Sequence, residues 1–572
     1  MPIRMKKSQN KWWIANPPQR TLQLLLTLAF GIAVFLFWTF RYPFALTYQE
    51  QLQLFLFDGD YFCDRMAEPG GFARYIAEFL VQFYNGAAIG AAIIALLYML
   101  VQHLTWRLMC PESDGSYPLS FLPVLLLWYA MGDESVMLTY TVALVIALGV
   151  MAALRKWIGW ITAIILIPVL YWLIGPMVLL TALLMRSWTK AVATIIYALA
   201  LMLLSAHFLP FPMMRVMLGI SYYRFPVTLP YVLMVIPVVV ALLVWLCRKD
   251  YLKWMAGGPA VAFVLIIGLF LIPWGFDAKK YELIEYDYLV RIQDWNSIIT
   301  KAEKQMPDLP MSVSATNLAL GMTNQLGERA FDFFQRGSEG LLPKFERNFA
   351  TTQLTGEIYF YLGLVNTSQR FAFEAMEAIP NYNKSARVVK RLAETNLING
   401  EYEVARKYLQ MLEKTIFYRP WAQRTLTMLG DEKAINGHPL YGTLRKYRLQ
   451  EDFLFSDREL DKICGQLFIH NQQNQMAAQY LLMMPLMNRD IPRFMQYVQV
   501  VQKRIQYSPR HVQESIAFAF MQQRQQPPRG LLSQLLMQQM NDFMRTYGSG
   551  GKDAPGLERF RNTVWYYLTV GK

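Results

Sequence analysis

Charge and cysteine are what this sequence has least of. Of its 572 residues, 17% are Asp, Glu, Lys or Arg and four are Cys, whereas ordinary soluble domains carry about 25% charge. So little charge excludes a disordered chain, and four cysteines in so long a chain exclude a disulfide-stapled secreted domain. Chemical signatures are missing too. There is no phosphate-cradling Gly-x-x-x-x-Gly-Lys, no His-Glu-x-x-His, no Cys-x-x-Cys and no Gly-x-Ser-x-Gly. Those absences remove P-loop nucleotide hydrolysis, zincin proteolysis, thioredoxin-type redox chemistry and nucleophile-elbow hydrolysis. His103, His207, His438, His470 and His511 lie scattered among Cys63, Cys110, Cys247 and Cys464 with no zinc-ligand spacing. A bridge between Cys63 and Cys464 is left open.

What is present is apolar, at 54% of the chain, and unevenly spread. Residues 1–275 hold 18 basic and 11 acidic side chains; the remainder holds 37 and 30. That contrast reads as a multi-span membrane domain joined to a soluble one. The net charge of +14 calls for no nucleic acid: orientation accounts for the first half, and in the second the cations are mixed with acids.

Residues 1–20 form a basic amino end, with Arg4, Lys6, Lys7, Lys11 and Arg20 and no acid. The run Thr21 to Phe40 is long and bulky, so it reads as an uncleaved first span with its amino end in the cytoplasm. Further apolar stretches follow to residue 275. Counting 157–186 as a hairpin about Gly175-Pro176 gives nine spans and keeps Arg186, Lys190, Arg248, Lys249 and Lys253 on one side. An odd count puts the rest of the chain outside the plasma membrane, in the periplasm of a diderm bacterium. Gly86 and Gly90 make a Gly-x-x-x-Gly suited to close helix packing inside the chain.

From residue 280 the pattern is helix after helix, giving an all-α chain. In Arg391 to Leu412, Ala393 and Asn396 share one helix, Gly400 permits a turn, and Tyr402, Ala405, Leu409 and Leu412 line the next helix. Trp295, Ile298 and Ala302 repeat that order, as do Leu362-Gly363 with Ala375, and Phe494, Val498 and Val501. The pattern resembles the tetratricopeptide repeat, with Trp295, Gly363, Gly400, Tyr402 and Ala405 as its signature positions. The resemblance implies an α-solenoid over 280–525, with an irregular helical bundle as the alternative. A short helical tail with linkers occupies 526–572, where Gly548-Ser549-Gly550-Gly551 reads as a turn.

The remaining feature is an acidic first external loop, 41–75, containing Glu50, Asp58, Asp60, Asp64 and Glu68 ahead of Pro69-Gly70-Gly71. Carboxylates so close to a membrane suit a divalent ion, held by Asp58 and Asp60, or a general base; solvation of the loop is the plain alternative. Arg215 and Arg224, in a proline-bounded segment beside Tyr222-Tyr223, suit a lipid phosphate or simple interfacial anchoring.

The first loop, its Pro-Gly turn and a short hairpin at 118–154 tipped by Asp133-Glu134 loosely resemble the GT-C superfamily of lipid-phosphosugar-dependent glycosyltransferases. That resemblance implies Glu50 or Asp58 as base and Asp133 or Glu134 as helper; a divalent metal would be the cofactor, and none is expected otherwise. The soluble half makes the whole similar to the transmembrane-and-tetratricopeptide O-mannosyltransferases. Three functions are therefore carried forward. The preferred one is a membrane anchor presenting a repeat surface to a protein or peptide partner in the cell envelope. Sugar transfer at the outer face is the alternative, and transport the third.

Overall fold

The computed structural model describes residues 17–109, 114–154, 160–185, 187–218, 231–249, 251–255, 257–346, 348–379, 383–450, 459–528 and 530–571. Apart from one isolated bridge, Arg336 to Ser338, every regular element among them is helical. Two compact units form. One is Met1–Tyr281 with Pro380–Asn383; the other is Glu282–Ile379 with Lys384–Lys572.

The first unit contains α1 (Pro17–Leu36), α2 (Pro43–Gln51), α3 (Gly59–Met66), α4 (Gly71–Val81), α5 (Ala87–Met109), α6 (Leu122–Ala130), α7 (Leu138–Leu154), α8 (Trp160–Ile174), α9 (Trp188–Phe208), α10 (Met213–Leu218), α11 (Val232–Arg248) and α12 (Gly258–Trp274). Long Leu, Ile, Val and Ala runs favour helix here because a helix satisfies every backbone group within its own segment. Among the described residues, four stretches are long and apolar enough to cross a membrane unaided: Gln19–Arg41, Ala87–Met109, Ala163–Leu183 and Trp188–Phe208. A fifth candidate joins α12 to the next helix through a 62° bend.

The expected count of nine spans is therefore corrected, and the physical causes are local. Pro118 and Pro123 hold a 3₁₀-helical segment, Asp114–Phe121, ahead of a nine-residue α6. α7 and α11 are 17 residues long, short of a perpendicular span. The stretch expected as a hairpin counts as a single crossing, in which α8 passes at Gly175 (φ +61°) into the 3₁₀-helical Gly175–Leu184. The parity argument built on nine spans falls with it.

Two meetings of separate segments fix the ends of this bundle. Gly257 N–H donates to the Gly115 carbonyl at 2.8 Å, joining the start of α12 to the segment before α6. At the other end of those helices, a Cβ on Gly132 would lie 2.2 Å from the Gly275 carbonyl oxygen, and one on Gly275 would lie 2.4 Å from that of Tyr129. Only glycine permits that approach. The Gly-x-x-x-Gly expectation resolves locally: Gly90 receives the ring of Tyr84.

The second unit begins within α13 (Ala278–Arg291). It continues through α14 (Trp295–Lys304), α15 (Pro310–Met322), α16 (Leu326–Arg329), α17 (Phe349–Leu362), α18 (Val365–Glu377), α19 (Ala386–Asn399), α20 (Tyr402–Glu413), α21 (Arg419–Leu426), α22 (Glu432–Gly437) and α23 (Pro439–Tyr447). The last six are α24 (Leu460–His470), α25 (Gln475–Met487), α26 (Ile491–Gln502), α27 (Arg510–Gln522), α28 (Gln534–Gly550) and α29 (Val564–Thr569). Helices α17 to α21 pack in chain order, each on the next. Gly363 (φ +94°) and Gly400 (φ +87°) stand immediately after α17 and α19 in the left-handed conformation that ends a helix without a Cβ penalty. Asp294, Ser385, Asn474 and Asp490 each cap the following helix by accepting a backbone N–H, worth about 1 kcal/mol apiece.

The expected apolar faces are where the pattern puts them. Ala405, Leu409 and Leu412 are buried, as are Ile298, Ala302, Phe494, Val498 and Val501. Trp295 and Tyr402 pack against the same core, part-exposed. The tail differs from expectation. Gly548, Ser549 and Gly550 belong to α28, and Val564, Trp565 and Tyr566 enter the core. Cys63, Cys247 and Cys464 are free thiols.

Candidate functional site

The acidic residues of the first unit separate into two groups. The first surrounds α2. Pro43 starts that helix, and Thr47, Gln49, Glu50 and Gln51 on it are all buried, although four neighbouring polar residues ordinarily mark a solvated turn. Glu50 is 3% exposed. Gln49 Nε2 reaches the carbonyls of Glu134 and Val136 at 3.5 Å each, so α2 lies on the α6–α7 turn. In that turn Asp133 Oδ1 accepts from the backbone N–H and the Oγ of Ser135, at 3.0 and 2.6 Å, which holds the chain reversal. Glu134 points inward and meets Lys280 Nζ at 2.5 Å; Asp133 is 3.9 Å from the same ammonium. Burial raises the Glu134 carboxyl above its usual range, Lys280 opposes that shift, and Asp133 adds to it.

The second group is a chain of alternating charges that spans three segments. Arg215 Nε donates to Glu68 Oε2 at 2.6 Å, and Arg74 Nη1 donates to Glu68 Oε1 at 2.5 Å. Arg74 Nε then reaches Glu78 Oε1 at 2.9 Å, and Arg65 Nε reaches Glu78 Oε2 at 2.6 Å. The Tyr61 hydroxyl closes the far end on Glu78, and Arg74 Nη2 donates to Asn383 of the same unit. Glu68, Arg74 and Glu78 are buried. The turn carrying Glu68 is fixed to α8: Gly70 N–H donates to the Trp172 carbonyl, and Trp172 Nε1 donates to the Met66 carbonyl, both at 2.8 Å. Buried guanidinium and carboxylate groups in such alternation repay their desolvation only when nearly every one is paired.

Several expected site residues therefore come together and others do not. Glu50, Asp133 and Glu134 belong to neighbouring segments. Asp58 stands half-exposed at the start of α3, and Asp60 is exposed beside it. Among the described residues no group of three His, Cys, Asp or Glu side chains is placed to hold a metal, so Asp58 and Asp60 gain no ion site from the fold. Arg215 meets a carboxylate, Glu68, where a lipid phosphate is expected; Arg224 lies outside the described residues. Sequence reading missed Arg74 and Glu78 as a pair, although their i, i+4 spacing is a readable signal. Nothing in the sequence links Glu68 to Arg215, 147 positions away.

Residues 19–571 match a family of unknown function, DUF6057. The chain belongs to the DUF6057 family. No curated protein and no solved structure matches it. The match covers both units and thus the α2 turn, the charge chain and the helical pairs alike. DUF6057 membership carries no activity with it, so the chemistry of this family member has to be argued from its own residues.

Proposed function

We propose that this DUF6057 protein is an integral protein of the plasma (inner) membrane whose first unit anchors it. The second unit then stands outside the cytoplasm and offers its helical pairs, as a tetratricopeptide-like array, to a protein or peptide partner of the envelope. Support for the bilayer comes from exposed aromatic rings at both ends of three helices. Trp188 (81% exposed) and Phe208 bracket α9, Tyr231 and Tyr251 bracket α11, and Trp254 and Trp274 (80%) bracket α12. Trp188 and Phe208 are 20 positions apart in one unbroken helix, about 30 Å, the thickness of a hydrocarbon core; Tyr251 and Trp254 lie just beyond the facing ends of α11 and α12. Between the paired rings run exposed Ile, Leu, Val and Phe such as Ile196, Val238 and Phe270. Aromatic rings favour the two interfaces, so the spacing matches a bilayer.

Orientation rests on the charges flanking α11 and α12 themselves, with no span count needed. Arg248, Lys249 and Lys253 lie with a single acid, Asp250, between the two helices, whereas Asp277, Lys279, Lys280 and Glu282 balance after α12. The basic turn belongs inside, which sends α12 outward.

The observation that carries the partner role is the stacking of α17 to α21 in chain order, because paired helices added one on another build extended binding faces. Exposed apolar side chains lie on those pairs, Phe373 on α18 and Val404 on α20. A photocrosslinking amino acid at each position, in intact cells, is expected to give one adduct of discrete mass, lost on changing the other position to Glu. Adducts to lipid or to the chain itself alone contradict the role.

Burial of Glu50 within a polar helix supports the second reading, GT-C-like sugar transfer from a polyprenyl phosphate at the outer face. Glu50→Gln and Asp58→Asn would then abolish an envelope glycan at unchanged protein level; intact glycan in both removes that reading.

A further inference from the structure

One face of α5 is polar over about two turns. Tyr98, Gln102 and Thr105 recur at i, i+4 and i+7 and are wholly buried, in a helix that is otherwise mostly apolar apart from His103 and Arg107. Towards the Gly115–Gly257 end this face is continued by hydrogen bonds. Thr27 Oγ1 donates to Gln102 Oε1 at 3.1 Å, Gln102 Nε2 donates to Ser120 Oγ at 2.7 Å, and Ser120 Oγ donates to the Tyr117 carbonyl at 2.6 Å. The Thr27 and Tyr117 hydroxyls also pair, and buried Ser116 lies next in the chain. Towards the Gly132–Gly275 end, Tyr98 lies within electrostatic reach of Tyr84 and Tyr281, and Tyr281 within reach of Glu134 and Asp133. Gly90 makes room for Tyr84 there: a Cβ would lie 2.8 Å from its ring.

The hydroxyls of Tyr84, Tyr98 and Tyr281, Thr105 Oγ1 and Glu134 Oε2 are all buried without a hydrogen-bond partner among the described residues. Polar residues that merely glue helices together are bonded to one another across the interface. Here five groups in the same unit are not, and each is costly to bury unpaired. Phenol, hydroxyl and carboxyl groups both take and give a proton, so water admitted between them completes a hydrogen-bonded file from Glu134 to Ser116.

We propose that this file is a proton path across the first unit, with Glu134 at its outer mouth. Facing Glu134 are Lys280 and Tyr281 from α13, Asp133 from its own turn, and Gln49 from α2 against its backbone. A carboxyl that burial favours in its neutral form suits a group that takes up and passes on a proton. This inference rests on the membrane reading proposed above.

The test uses the full chain in liposomes holding a pH-sensitive dye, with a potassium gradient and valinomycin imposing the driving potential. Alkaline extraction and protease protection on the same vesicles report insertion. The expected result is proton entry several-fold faster than in protein-free vesicles, returning to the protein-free rate in Tyr98→Phe and falling in Glu134→Gln, with both variants inserted as well as the parent. Inserted protein that conducts no faster than bare lipid, or variants that conduct as the parent does, overturns the path and leaves the membrane reading standing. Protein that never inserts overturns both.

Discussion

The Glu357 carboxylate of α17 accepts from Arg391 Nη2 at 2.6 Å and faces Arg387 Nη2 at 3.6 Å; Arg387 Nη1 in turn holds Asp287 at 2.9 Å. Burial alone would raise the Glu357 carboxyl, but the guanidiniums of Arg391 and Arg387 outweigh it and hold it below its ordinary value. A folded-state value below the unfolded one means the contribution is complete above the ordinary carboxylate pKa of about 4.3 and fades as pH falls through the lower folded value. Acid melts of the full chain in detergent should therefore show Tm dropping below about pH 4.3. Glu357→Gln should lower Tm at pH 7 by the equivalent of about 1.5–3 kcal/mol, since Arg391 and Arg387 each lose one carboxylate and keep another, and should flatten the acid limb. An unchanged Tm at neutral pH would place the network's worth elsewhere. At this scale the sequence is partly legible: Arg74 with Glu78, and Arg391 with Glu394, sit at helical spacing. The links from Glu68 to Arg215 and from Asp287 to Arg387 are set by tertiary packing and leave no local trace.

Helical pairing in the second unit is legible because its punctuation is local. Gly400 ends α19, Glu401 begins the return, and the buried stripe Ala405-Leu409-Leu412 follows at helical period. Boundaries in the first unit are harder to read because hydropathy is uniform while proline decides geometry, as at Pro118 and Pro123. The tail is hard to read for another reason. Its glycines suggest a linker, but Phe543 and Trp565 on either side of them supply aromatic area that the core takes in. The Gly132–Gly275 approach is a property of two elements together, and it carries a sharp expectation. Gly275→Ala should push the start of α13 away from the α6–α7 turn and cost at least about 2 kcal/mol, with Gly258→Ala, whose Cβ meets nothing and whose backbone needs no positive φ, as the control. The measurement is detergent thermal stability of both variants; equal Tm values would mean that the turn and the end of α12 are not held so closely.

For the whole molecule, the DUF6057 match spans both units, the apolar helical first unit and the helical second unit alike. The orientation proposed for the molecule rests on the basic residues between α11 and α12. The acidic loop divides: Glu50 is buried on a polar helix, Glu68 joins a chain of paired charges, and Asp58 and Asp60 stand half-exposed and exposed at the start of α3. Pairing with guanidiniums accounts for the burial of Glu68 and Glu78, and it leaves Glu50 and Glu134 as the buried acids with chemistry to test. The account depends most on where the second unit lies. Thiol labelling with a membrane-impermeant maleimide settles it directly, using a single cysteine placed at exposed Gln410 in a cysteine-free chain and comparing spheroplasts with lysed cells. Full labelling in intact spheroplasts is the predicted result; labelling only after lysis would contradict the orientation, the envelope partner and the outer-face chemistry at once.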